Sequence, residues 1–263
     1  MNRFAIRAQF CLDGAQEAVK KGLKQKRKAR PAGNDAGRAL RKQSLVVQSK
    51  AADTRRDDML NQEGFDLWAD GYDRSVGRSD ESDTYPFAGY KNVLSGIYSR
   101  ILSRPGRTVL DIGFGTAVLA AKLYARGCTI FGQDFSSRML ALAQEKMPEA
   151  RLYQGDFSQG LAEALRQNQY DAIVATYSLH HLTDDRKAAF LHSLLPLLRK
   201  GGAIYIGDVA FRTRAQLEQC RMQAGNQWDE DEIYFVYEEL KRSFPEMEFQ
   251  QVSHCAGILS LER

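Results

Sequence analysis

The chain has 263 residues, 43% hydrophobic and 27% charged, with a net charge of +4. These proportions fill one globular core of ordinary size and exclude a disulfide-stapled miniprotein and a wholly disordered chain. No run of ~18 apolar residues occurs, so no membrane-spanning helix is expected.

The charge is unevenly divided. Residues 1–56 hold 15 Lys and Arg against four acids (Asp13, Glu17, Asp35, Asp53), a net of +11, which leaves −7 for residues 57–263. The stretch from Lys20 to Arg30 repels itself, and residues 20–44 offer few large apolar side chains to pack. Three readings of this arm stand side by side. It can contact nucleic acid by neutralising phosphates. It can be a targeting segment, although Asp13 and Glu17 interrupt its first amphipathic stretch. It can be a solvated tail, ahead of a 205-residue segment from Met59 that reads as complete by itself. No aromatics interleave with its bases, as a single-strand binding surface would require. The expected division is a basic, disordered extension over 1–58 and one domain over 59–263.

Two helical stretches come next. One is Asn61–Ala69, with Phe65 and Trp68; the other is Tyr90–Leu102, with Leu94, Ile97, Tyr98 and Ile101 on one face. Arg104-Pro105-Gly106 breaks the chain. Strands and helices then alternate: strand Thr108–Ile112, helix Thr116–Arg126, strand Thr129–Gln133, and a helix from Ser136 or Ser137 to Met147, stopped by Pro148. A short strand Arg151–Gln154, a helical Ser158–Arg166 and a strand Tyr170–Thr176 follow. A long helix capped by Thr183 stops at Gly201-Gly202, and Ala203–Ile206 is the fifth strand. After mostly helical sequence from Arg214 to Phe244, strands at about 248–253 and 256–261 close the chain. Apolar strands alternating with helices predict right-handed crossovers and a parallel sheet, with the last strand antiparallel at or near an edge. Ligands of such sheets bind beyond the carboxyl ends of the strands.

The first strand ends in Asp111-Ile112-Gly113-Phe114-Gly115-Thr116, where Gly113 and Gly115 permit a tight turn and close approach of a ligand to the backbone. The second ends at Asp134, 21 residues after Gly113, the distance at which an acid accepts hydrogen bonds from ribose hydroxyls; its other reading is a helix N-cap. The third ends at Gly155-Asp156-Phe157, where Asp156 can accept from an adenine amino group with Phe157 beside the ring, or cap the next helix. The fourth opens into Thr176-Tyr177-Ser178-Leu179-His180-His181-Leu182, where a histidine can take a proton, orient a substrate or line the wall. Four cysteines (Cys11, Cys128, Cys220, Cys255) without CxxC spacing argue against a zinc ribbon or disulfide framework and point to the reducing cytoplasm. The histidines include no HExxH pair, so no metal site is indicated.

A nicotinamide cofactor would want a third glycine where Val118 stands, to let helix and strand pack beside a pyrophosphate. S-adenosylmethionine carries ribose and adenine without phosphate, and Asp156 suits it. The motifs at 111–116, Gly132-Gln133-Asp134, Gly155-Asp156-Phe157, Tyr170–Val174 and Leu198–Gly202 resemble, in order, those of class I S-adenosylmethionine-dependent methyltransferases. Phe65–Ala69 with Tyr72-Asp73, and Ser178–Asp184, resemble the small bacterial YrrT-like members. Ala117 stands where the family often has glycine, and the basic arm has no counterpart in the family's pattern.

The resemblance implies an α/β fold with a Rossmann-like seven-stranded sheet, mostly parallel with an antiparallel last strand and helices on both faces. It implies S-adenosylmethionine as cofactor, contacted by Gly113, Asp134 and Asp156, with Gly115 in the same loop. The expected reaction is methyl transfer to a small-molecule acceptor, with no catalytic residue assigned. Phe65, Trp68 and Tyr72 can form a lid that excludes water. The rivals are a nucleic-acid methyltransferase docking through the arm, a non-catalytic cofactor-binding protein and a nicotinamide-dependent oxidoreductase.

Overall fold

A computed structural model describes residues 84–263, and the alternation read above organises them. The arm and the expected helix at Asn61–Ala69 lie outside the described residues. Helix α1 (Tyr90–Leu102) buries Val93, Leu94, Ile97, Tyr98 and Ile101, the stripe expected for a helix lying on a sheet. Strand β1 (Thr108–Ile112) is followed by α2 (Val118–Ala125), β2 (Thr129–Asp134), α3 (Ser137–Lys146) and β3 (Arg151–Gln154). Ser136 caps α3, its Oγ accepting from the Met139 N–H at 3.3 Å. The expected helix over 158–166 is instead a 3-10 turn, Phe157–Gln159, and one α turn, α4 (Glu163–Arg166). Gly160, at φ +105°, separates them.

The second half contains β4 (Tyr170–Thr176), α5 (Asp184–Leu194), β5 (Leu198–Phe211), α6 (Arg214–Ala224), β6 (Phe235–Val236), α7 (Tyr237–Leu240), β7 (Glu248–Gln251) and β8 (Ala256–Glu262). The sheet order is β3-β2-β1-β4-β5-β8-β7, with β6 paired to β5 beside that path. The sheet therefore has eight strands where seven were expected, the extra one being the two-residue β6. Strands β1 to β5 pair in parallel, and β8 runs antiparallel between β5 and β7. The fifth strand was expected only over Ala203–Ile206. It begins before the glycines because Gly201-Gly202 is absorbed as a register irregularity: Tyr170 pairs with Leu198 and Ala172 with Ala203.

Alternate residues serve opposite faces. Leu110, Ile112, Ile173, Ala175, Ile204 and Ile206 meet the apolar sides of α4, α5 and α7. Val109, Ala172, Val174 and Tyr205 meet those of α1, α2 and α3. Asp111 shares the face of Val109 and is therefore an acid buried on an apolar layer. Among the described residues no helix is long and apolar enough to cross a membrane.

Candidate functional site

The parallel core brings the carboxyl ends of β3, β2 and β1 side by side, and with them Asp156, Asp134, Gly113 and Gly115. Gly113 (φ +68°), Gly115 (φ +54°) and Ala117 (φ +59°) all turn left-handed between β1 and α2. A Cβ on Gly113 would lie 2.6 Å from Ser178 Cβ, whereas one on Gly115 would meet nothing within 4 Å. The first glycine is thus demanded by packing, and the second faces open space.

Asp134 is 4% exposed. Its Oδ2 accepts from the Gly115 N–H at 2.8 Å and its Oδ1 from the Ser136 N–H at 2.9 Å, so one side chain fastens the glycine loop and starts α3. Burial raises its pKa, opposed by these two hydrogen bonds. Burial, and then the charge of Asp134, push neighbouring Asp111 up to about 7; its Oδ1 has no hydrogen-bond partner. Asp156 is exposed and its Oδ1 accepts from the Ser158 N–H at 2.8 Å, so it does cap the short turn that follows. Phe157, expected beside an adenine, is buried, with its ring 6.0 Å from that of Phe190. Phe135, 43% exposed beside Asp134, is the open aromatic face at this end of the sheet.

The ends of β4 and β5 carry a second group. The Ser178 hydroxyl donates to the Ile112 carbonyl at 2.9 Å, joining the two halves. His180 is 7% exposed in the turn Leu179–His181, with Nδ1 2.7 Å from Oδ1 of fully buried Asp208 on β5. Its Nε2 lies 3.6 Å from Glu232 Oε1. Burial alone would lower the His180 pKa, but the charge and hydrogen bond of Asp208, with help from Glu232, leave it raised. Glu232 reaches this place because the Ile233 N–H donates to the His180 carbonyl at 2.8 Å and Lys187 Nζ donates to the Ile233 carbonyl at 2.5 Å. Lys187 is buried and paired with Asp184 at 2.9 Å. The hydroxyl of Tyr234 donates to Glu232 Oε2 at 2.7 Å, and its ring packs with Tyr85 and Trp228.

Of the residues the sequence nominated, Gly113, Gly115, Asp134 and Asp156 come together, and His180 faces a neighbouring cluster. Phe65, Trp68 and Tyr72 lie outside the described residues. Sequence reasoning missed Asp208, Glu232 and Lys187. Asp208 was findable, as an acid inside the apolar run from Ala203 to Phe211. Glu232 sits in the acidic run Asp229–Glu232, which reads as solvated surface.

A methyltransferase domain family matches residues 109–202. An uncharacterized methyltransferase of Anoxybacillus flavithermus is 34% identical over 190 residues, covering 72% of this chain and 86% of that protein. One from Geobacillus sp. WCH70 is 37% identical over 161 residues, covering 61% of this chain and 72% of that protein. Among solved structures, magnesium protoporphyrin IX methyltransferase from Synechocystis PCC 6803 with bound SAH superposes with a TM-score of 0.57 at 19% identity, over 78% of this chain and 97% of that one. That likeness establishes a shared fold.

Proposed function

The chain belongs to the class I S-adenosylmethionine-dependent methyltransferases, and on that premise we propose that it methylates a small-molecule acceptor held beyond the ends of β4 and β5. The observation that carries this reading is the pairing of the open, left-handed loop at Gly115, fastened by Asp134, with a polar group at His180, Asp208 and Glu232 across the Ile112–Ser178 bond. The residues suit the cofactor: a carboxylate offers about four lone-pair sites, and the described bonds of Asp134 occupy two.

S-adenosylmethionine, when bound, supplies a methyl group on a sulfonium that is itself a good leaving group. Asp134 would accept from the ribose hydroxyls and Asp156 from the adenine amino group. Phe135 would offer its exposed ring to the purine. Gly113 and Gly115 would let the backbone approach the methionine portion. Asp208 fixes the Nδ1 side of His180, so that Nε2 and Glu232 orient the polar atom of the acceptor. The protein contributes chiefly alignment and exclusion of water, and alignment reaches roughly 7–11 kcal/mol in favourable cases.

The net charge of −7 over residues 57–263 repels phosphates and favours a small acceptor over nucleic acid. Free, buried Cys128, Cys220 and Cys255 support a reducing compartment, the cytoplasm. We assign residues 1–58 to an extension and 59–263 to the catalytic domain; removal of 1–58 is expected to leave methyl transfer intact. The test is transfer of labelled methyl from S-adenosylmethionine into a metabolite extract. Label in a discrete small compound is the expected result. Label confined to RNA or DNA, or no release of S-adenosylhomocysteine with any extract, would overturn the reading.

A further inference from the structure

Glu232, far along the chain, meets the adjacent pair His180 and His181 beyond the end of β4: each of the three offers one ligand atom, all within 4.8 Å of one another. We propose that they form a three-ligand site for a divalent transition metal of the zinc class, which activates the methyl acceptor. The inference rests on the methyltransferase reading for the identity of what the metal activates, but not for the site itself.

The geometry of His180 comes first. Its Nδ1 is 2.7 Å from Asp208 Oδ1, while the Val209 N–H donates to the same oxygen at 2.8 Å. An oxygen that accepts from both sides places a proton on Nδ1 and leaves Nε2 as the outward atom. Nε2 faces Glu232 Oε1 at 3.6 Å, an ion pair when the ring is protonated and too long for a hydrogen bond. A metal cation would take the place of the Nε2 proton between them. A cation with bonds of about 2.0–2.2 Å to each spans them: the edge of such a tetrahedron is roughly 3.4 Å.

The surroundings match what metal sites require. The carboxylate behind an imidazole is the usual support for a histidine ligand, fixing its tautomer and ring orientation. Asp208 occupies that place, wholly buried. The second oxygen of Glu232 is held by Tyr234, which leaves Oε1 for a single bond to the ion. The backbone of Ile233, fastened to His180 and to Lys187, sets the height of Glu232 above the ring. The His181 ring stands 4.3 Å from that of His180, inclined by 67°, and is exposed, so the ion can come and go from solvent. Two imidazoles and one carboxylate suit Zn2+, Fe2+, Mn2+ or Co2+ better than Mg2+ or Ca2+. Three protein ligands also leave at least one position open, as in catalytic rather than structural sites.

The chemistry follows from that open position. An acceptor hydroxyl or thiol that binds the cation releases its proton to solvent and keeps its electron pair as an anion at neutral pH. That pair forms the new bond to the methyl carbon, while the carbon–sulfur bond breaks and its electrons remain on sulfur as a thioether. No oxidant or further reactant is needed.

The test uses the full chain, without an affinity tag, stripped with chelator and dialysed. Zn2+ binding is measured by calorimetry and by metal analysis, and S-adenosylhomocysteine binding is measured on the same samples. The expected result is one equivalent of Zn2+, weakened at least tenfold by His181→Ala and by Glu232→Gln, with S-adenosylhomocysteine affinity unchanged in both. His181 is exposed, and a thermal melt establishes that its variant is folded. Asp208→Asn, acting through His180, is expected to weaken Zn2+ by about 10- to 100-fold. Absence of Zn2+ binding, or equal binding in parent and both ligand variants, overturns the metal site and leaves the methyltransferase reading standing. Zn2+ binding as expected without S-adenosylhomocysteine binding confirms the site and sinks the other reading instead.

Discussion

Gly113 and Gly115 stand two residues apart in one loop, both with left-handed backbone, and their surroundings predict opposite consequences of the same added methyl group. At Gly115 the methyl of an alanine would meet no protein atom within 4 Å. The fold then loses only the strain of φ +54°, about 1–2 kcal/mol, or roughly 2–8 °C in Tm for a domain of this size. The methyl would instead occupy space assigned to the cofactor, and the dissociation constant for S-adenosylhomocysteine should rise at least ~10-fold, about 1.4 kcal/mol. At Gly113 the methyl would sit 2.6 Å from Ser178 Cβ. Overpacking of about 1–3 kcal/mol adds to the strain at φ +68°, so the fold should lose about 2–5 kcal/mol, with a smaller effect on affinity per folded molecule. Thermal melts and calorimetry on both variants give the comparison. A Gly115→Ala protein that binds as tightly as the parent, or two variants that lose stability and affinity in parallel, would refute the assignment of this opening to the cofactor.

Three further outcomes are expected. Asp134→Ala should weaken S-adenosylmethionine binding by roughly 10- to 150-fold, the worth of a charged hydrogen bond, and an unaltered calorimetric constant would remove Asp134 from the site. The folded state holds the Asp111 proton up to about pH 7, whereas the unfolded chain releases it near 3.8. Between those values the folded state binds more protons, so stability should fall as pH rises, by up to about 4 kcal/mol. Asp111→Asn should flatten that fall in melts from about pH 4.5 to about pH 8, and parallel curves would contradict the burial argument. Lys187→Met removes the donors to Asp184 and the Ile233 carbonyl, which should cost about 1–3 kcal/mol and speed exchange of the Ile233 amide. Unchanged protection of that amide would show that Lys187 does not hold the segment.

The proposed cofactor side was legible because its residues lie at a strand end or within three residues of one. Asp134 and Asp156 come at strand ends marked by apolar runs, and the parallel topology that aligns those ends is itself implied by the alternation of elements. The proposed acceptor side was not, because it is assembled across long chain separations. His180 meets Asp208 through the β4–β5 pairing and Glu232 through the return of residues 228–236, and no local period encodes such meetings. Strand β6 escaped for a related reason: Phe235–Val236 is too short to show alternation and is held by pairing with Ala210 and Phe211. Ala117 shows tertiary context overriding a residue's preference, since a buried alanine holds the left-handed turn that glycine would adopt more easily.

Strand β5 continues four residues past Gly207, the last residue it pairs with β4, and β6 is stitched to that overhang. The segment 228–236 is thereby moored on a ledge of its own, apart from the donor-side turns of β1, β2 and β3. On the proposed acceptor assignment, grafting these nine residues between relatives is expected to change acceptor choice and leave S-adenosylmethionine binding intact.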